Sequence, residues 1–134
     1  TVESFSSEVG EWMVSLEEFQ IQLYTVLNNK LEIKIYDHRP QKPEYPYVRF
    51  NLTVSDISTK TETNYEIGLD ILVFSTYPGN KEIYSLAEKA KRAINDSSLS
   101  SENNQAQVFF LNSDILDEDE DLKAAVFNYK VILT

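Results

Sequence analysis

The sequence predicts an α+β domain: one mostly antiparallel sheet of four to five strands with two helices packed on it. Three observations carry this. Around residues 31–36, 48–54, 65–73 and 125–133, apolar and polar residues alternate singly, the period of half-buried strands. Two other segments, 16–27 and 83–94, space their apolar residues three and four apart, as a helix with one buried face does. The strand segments run in groups instead of alternating regularly with helices. The predicted order is α-β-β-β-α-β-β in a single domain over residues 15–134, preceded by a polar arm at 1–14.

The elements follow in order. Residues 1–10 (TVESFSSEVG) are small and polar, a loose arm or a short helix, and Met13 offers an internal start that would make the arm dispensable for folding. Ser15 and Glu18 form a capping-box pair, and Val14 and Phe19 the hydrophobic staple that goes with it. Both signals start a helix at Ser15, with Leu16, Phe19, Leu23 and Leu27 on its buried face and Tyr24 beside them. Asn28 and Asn29 predict its end, because asparagine tolerates left-handed backbone angles. Leu31, Ile33 and Ile35 then alternate as a short strand. Three of the chain's four prolines, Pro40, Pro43 and Pro46, stiffen the next loop. Val48, Phe50, Leu52 and Val54 form a strand that pairs as a hairpin with Tyr65, Ile67, Leu69, Ile71 and Val73 across the polar tip 55–64. The second strand's other face is polar at Glu66, Gly68 and Asp70, then apolar at Leu72 and Phe74. Tyr77 to Asn80 is a turn. A helix over 80–95 carries Ile83, Leu86, Ala87, Ala90 and Ile94 on one stripe. A polar loop at 95–105, a strand at 108–111, an acidic loop and the alternating strand 125–133 complete the chain.

At 134 residues and 42% hydrophobic composition the chain has enough apolar mass for one core. Its net charge of −10 repels a phosphate backbone, which argues against sequence-specific nucleic-acid binding, and it disfavours an anionic membrane surface. The longest apolar runs are four residues, so no membrane-spanning segment is expected. The absence of cysteine removes disulfides, thiolate metal sites and a thiol nucleophile together.

No catalytic constellation is legible. The one histidine, His38, stands beside Arg39 in the proline-rich loop, and no nucleophile elbow accompanies it. The three glycines stand alone, so no phosphate-binding loop exists. Asp117, Asp119 and Asp121 alternate within the acidic run 114–121. A calcium loop of the EF-hand type wants glycine next and glutamate at its end, where this chain has Leu122 and Asn128. Catalytic residues, cofactors and metals are all expected to be absent. From the residues alone, the protein is an acidic α+β domain that acts by contact.

The succession of segments resembles the tail-completion, or tail-to-head joining, proteins of long-tailed bacteriophages. It runs from about residue 16 to 134: the helix LEEFQIQLYTVL, the strand IKIYDHRP with its proline loop closing on PYVRF, YEIGLDILVFST leading into NKEIYSLAEKAKRAI, then VFFLNSDILDEDEDL and AAVFNYKVIL. Pro46-Tyr47-Val48 matches the Pro-Tyr-Val lead-in of such families. No single motif is specific; the order carries the resemblance, and the arm lies outside it. The resemblance implies a structural virion protein without catalysis or cofactor, made in the host cytoplasm. It would self-associate as a typically hexameric ring at the head-proximal end of the tail, between the tail tube protein and the head connector, with DNA passing through.

This reading assigns contact roles. Residues 37–47 would be a docking loop, stiffened by proline so that less order is lost on binding, with His38, Arg39, Lys42 and Glu44 presented and Tyr45 and Tyr47 as anchors. The hairpin tip, with Lys60 and Glu62, is a second contact. The acidic run, with Asp117, Asp119 and Asp121, would face the channel or a basic partner. One competing reading is an acidic DNA mimic that inhibits a nucleic-acid enzyme. Against it, six of the 22 acids crowd into eight residues instead of spreading at phosphate-like intervals. A small hydrolase with an unrecognised site is the other.

Overall fold

The computed structural model describes residues 14–119 and 121–134, the side chains of 117–119 excepted. The expected arm therefore lies outside the described residues, save for Val14. The elements are α1 (Leu16–Leu31), β1 (Lys34–Tyr36), β2 (Tyr47–Asp56), β3 (Tyr65–Ser75), α2 (Lys81–Asp96), β4 (Ala106–Asp119) and β5 (Leu122–Leu133). The five strands form one sheet in the order β1-β2-β3-β5-β4. All neighbours are antiparallel except β1 and β2, which run parallel. The α+β class and the element order agree with the sequence.

Helix α1 begins as its capping signals require. The Ser15 hydroxyl accepts from the Glu18 N–H at 3.1 Å. The reciprocal half of the capping box is replaced. The Ser15 N–H goes to Asn104 Oδ1 at 2.8 Å, and Asn104 Nδ2 returns to the Ser15 carbonyl at 2.8 Å. Asn104 is 2% exposed, so this clasp joins the start of α1 to the loop before β4 out of solvent.

Three expectations are corrected. The helix does not stop at Asn28-Asn29. It runs on to Leu31, and the left-handed residue is Glu32, at φ 55°. Leu31 follows Leu27 on the buried stripe, so one more turn buries another leucine. The first strand shrinks accordingly to three residues. The third correction is larger. The strand expected at 108–111 extends over 14 residues and absorbs most of the acidic loop. Asp114, Ile115 and Leu116 pair with Val126, Ala125 and Ala124, and pairing continues to Asp119 against Leu122. An edge strand leaves such residues in water, so their charge does not oppose pairing.

Both helices cover one face of the sheet. Phe19, Leu23 and Leu27 of α1 and Ile83, Ala90 and Ile94 of α2 meet Val48, Ile67, Leu69, Ile71, Val73, Tyr129 and Val131 in one core. The loop after α2 contributes Leu99, 1% exposed. At the turn into α2, Gly79 takes φ 83°, a conformation glycine adopts without steric cost. The buried Ser75 hydroxyl donates to Glu82 at 2.7 Å and accepts from the Tyr77 N–H, fastening β3 to the first turn of α2.

Candidate functional site

Among the described residues, the opposite face of the sheet carries no helix. It divides into two halves. Asn51, Asp70, Asn128 and Asn112 make one row across β2, β3, β5 and β4, and that half is polar. Towards the other end come Arg49, Leu72 and Val126, then Tyr47, Phe74 and Ala124. Tyr47, Phe74 and Ala124 are buried with no helix of the described residues above them, and Tyr36, Leu72 and Leu122 pack against them. The cover is the proline loop.

Its path follows from strand direction. Because β1 and β2 are parallel, residues 37–46 must carry the chain back to the end from which β1 started. The loop makes that return over the bare face. Pro40 and Pro43 line it, and the Tyr45–Pro46 peptide is cis. Asp37 ties its start to the rest of the fold. The carboxylate accepts from Gln20 Nε2 of α1 at 2.7 Å and lies 2.8 Å from His38 Nδ1. The contact with His38 holds the Asp37 carboxyl below its ordinary value.

Between loop and sheet lies a cleft of about 430 Å³. Arg39, Pro40, Gln41, Pro43 and Tyr45 line its loop side, and Tyr47, Arg49, Leu72, Phe74 and Leu122 line its floor. The aromatic residues form a chain of ring contacts. Tyr45 lies 5.3 Å from Tyr47 between centroids, and Tyr47 stacks on Phe74 at 4.8 Å. Arg49 approaches the Phe74 ring at 5.9 Å, and its buried Nε has no hydrogen-bond partner. Neither Arg39 nor Arg49 makes an ion pair among the described residues. Two uncompensated guanidiniums beside stacked aromatic rings, on a chain of charge −10, make a surface suited to a carboxylate-bearing protein segment.

The residues expected to make contacts fall into two groups. His38, Arg39, Lys42, Glu44 and Tyr45 are all exposed on the loop. Tyr47 is 5% exposed, and burial raises its phenol. It supports the loop from below, while Tyr45 at 38% exposure is the ring that reaches solvent. The acidic turn lies at this same end, since Ser75 pairs with Lys123 and Phe74 with Tyr47. Asp121 there is exposed. Lys60 and Glu62 sit at the opposite end, beyond the Asp56–Tyr65 pair. Their tip is held by its own bonds: Ile57 N–H to the Asn64 carbonyl at 3.0 Å, Thr59 N–H to the Glu62 carbonyl at 2.8 Å, and the Thr59 hydroxyl on the Glu62 N–H. Arg49, Leu72, Phe74 and Leu122 were not anticipated as site residues. Their signal was the change from Gly68 and Asp70 to Leu72 and Phe74 on a face otherwise polar.

Among the described residues, no group of three or more acidic or histidine side chains converges as a metal site, and no helix is long and apolar enough to cross a membrane. Among the described residues, the sheet thus has one helix-covered face and, on the other, an aromatic–arginine cleft under the proline loop. The sequence model of "Tail completion protein gp17" matches residues 22–134, and the chain belongs to that family. It is thus a structural protein of the virion tail. Among solved structures, a chain of the "Virion of native gene transfer agent (GTA) particle" has a similar fold, with TM-score 0.59 and 21% identity over 86% of this chain and 90% of that one. A comparison with curated protein sequences finds no match.

Proposed function

We propose that this chain completes the tail as a hexameric ring at its head-proximal end and joins the tail to the head connector. Family membership supports the tail role. The observation that carries the joining role is the position of the two presented segments. The proline loop and the hairpin tip stand at opposite ends of one hydrogen-bonded sheet. Strand β2 alone has 10 residues, or roughly 34 Å at about 3.4 Å per residue. A subunit with a stiff contact at each end suits a part that bridges two bodies. The loop takes one partner, with Arg39 and Tyr45 as anchors and His38, Lys42 and Glu44 around them. The tip, with Lys60 and Glu62, takes the other. The acidic turn, with Asp117, Asp119 and Asp121, faces the channel or a basic neighbour, and its charge keeps the DNA backbone from adhering.

An in-vitro joining assay tests this. Heads and tails from phage lacking the protein are mixed with the purified chain and scored by electron microscopy and plaque count. Recovery of infectious particles is expected. Tyr45→Ala should cut recovery at least tenfold with an unchanged melting temperature. Full recovery with Tyr45→Ala overturns the docking role of the loop. No recovery with proven heads and tails overturns the joining role and returns weight to an acidic inhibitor of a nucleic-acid enzyme, checked by displacement of DNA from a nuclease.

A further inference from the structure

The two edges of the sheet differ in length and charge but meet at one level. Strand β4 is an edge of 14 residues with Phe109, Leu111, Ile115 and Leu116 at 46%, 59%, 47% and 47% exposure. A long apolar edge is a template for another strand, and proteins that do not use such edges cover or blunt them. Its pairing with β5 is broken by irregularities at Phe110/Asn112 and at Asp117/Asp119, which leave a regular stretch from Asn112 to Asp117 between them. Bulges of this kind mark where an edge is re-aimed. The other edge at this level is β1, three residues long.

The ladder shows that the two are level. Leu116 pairs with Ala124, Ala124 with Phe74, Phe74 with Tyr47, and Tyr47 with Lys34. Asp114 ends the next row but one, which Tyr36 begins on β1. Directions match too. Counting pairings across the sheet, β4 runs opposite to β1, so repeating the sheet sideways sets the β4 of one copy antiparallel to the β1 of the next. The charges are complementary. The regular stretch of β4 carries the exposed Asp114, whereas β1 and the loop beside it carry Lys34, Arg39 and Lys42. Those three cations are exposed and make no ion pair among the described residues.

We propose that copies of this chain join head to tail through their sheet edges, β1 of one copy lying antiparallel beside residues 112–117 of β4 in the next. Lys34 then stands opposite Leu116 and diagonal to Asp114, within reach of its carboxylate. Two different surfaces joined in this way are a heterologous contact, which closes into a ring when the rotation permits. The inference rests on the ring reading above and names the surfaces that make it.

The absence of cysteine makes the test direct. A double variant, Lys34→Cys with Leu116→Cys, is built into tails, and a second, Lys34→Cys with Asp114→Cys, covers a register shifted by two residues. Within one chain the paired positions lie four strand spacings apart, roughly 19 Å at about 4.8 Å each. A disulfide needs Cα atoms within about 7 Å, so only neighbouring copies can be linked. Mild oxidation should give a ladder of covalent multimers on a denaturing gel from one of the double variants, and none from the single variants. Several copies per tail without a ladder overturn the edge contact and leave the ring standing. One copy per tail overturns both. As a measurement that needs no cross-link, Lys34→Glu and Asp114→Lys should each lower joining at least tenfold, and the two together should restore it. Independent, additive losses overturn the pairing.

Discussion

The two faces of the sheet are built from the same strands and are covered by different means. On one, two amphipathic helices bury Phe19, Leu23, Leu27, Ile83 and Ile94 to within 1% of full burial. On the other, the one described segment that overlies Tyr47, Phe74 and Ala124 is a ten-residue loop, leaving a cleft with arginines in it. The helix face is closed and supplies stability. The loop face is half closed and leaves rings and guanidiniums in a cleft. Fold and contact are thus separated by the thickness of a sheet, so substitutions on one side should leave the other largely untouched.

Four substitutions probe that separation. Phe19→Ala removes a fully buried ring between α1 and the sheet and should cost about 4 kcal/mol in denaturant unfolding, abolishing joining only through loss of fold. Asn104→Ala opens the clasp on Ser15 and leaves the half-buried Ser15 N–H unpaired, while the Ser15 carbonyl keeps the Phe19 N–H. A loss of about 2 kcal/mol is expected, with the fold otherwise kept. Tyr129 is the misfit of the helix face. It is 1% exposed, its hydroxyl has no partner among the described residues, and burial pushes its phenol up to about 12. The folded value lies above the unfolded one, so stability is whole below about pH 10 and falls as pH rises towards 12. Tyr129→Phe should remove that alkaline loss, visible as a flatter melting-temperature profile above pH 10, and change neutral stability by about 1 kcal/mol or less. Tyr45→Ala, on the loop face, should move stability by less than about 0.5 kcal/mol while joining collapses. A large destabilisation there would show that the loop belongs to the core and not to the contact surface.

What the sequence made legible follows the same divide. Periodicity reports burial against a continuous surface, so the helix face was readable: the α1 stripe, the β2–β3 hairpin and the α2 stripe all stand where alternation and spacing put them. The Ser15 cap was readable because its partner is three residues away. Asn104 was not, because its partner is 89 residues away and an asparagine in a polar loop looks the same with or without one. Strand β4 was underestimated because charge reads as loop when the strand is at an edge and free to keep its charges wet. The parallel pairing of β1 was invisible for a different reason. Direction is decided by where the proline loop travels, and no local pattern encodes the destination of a loop. Hence the loop stood out by its prolines, while the floor beneath it, Arg49 and Phe74 above all, did not.

Strand β5 follows every other described strand in the chain yet lies inside the sheet, between β3 and β4. During synthesis, β3 emerges and α2 forms before the strand that must occupy the slot beside them exists. Until it arrives, β3 offers a bare hydrogen-bonding edge and β4 has nothing to pair with. The contacts that close the sheet are therefore distant along the chain, which slows folding. A partly made chain, with that edge bare, is the species most exposed to aggregation.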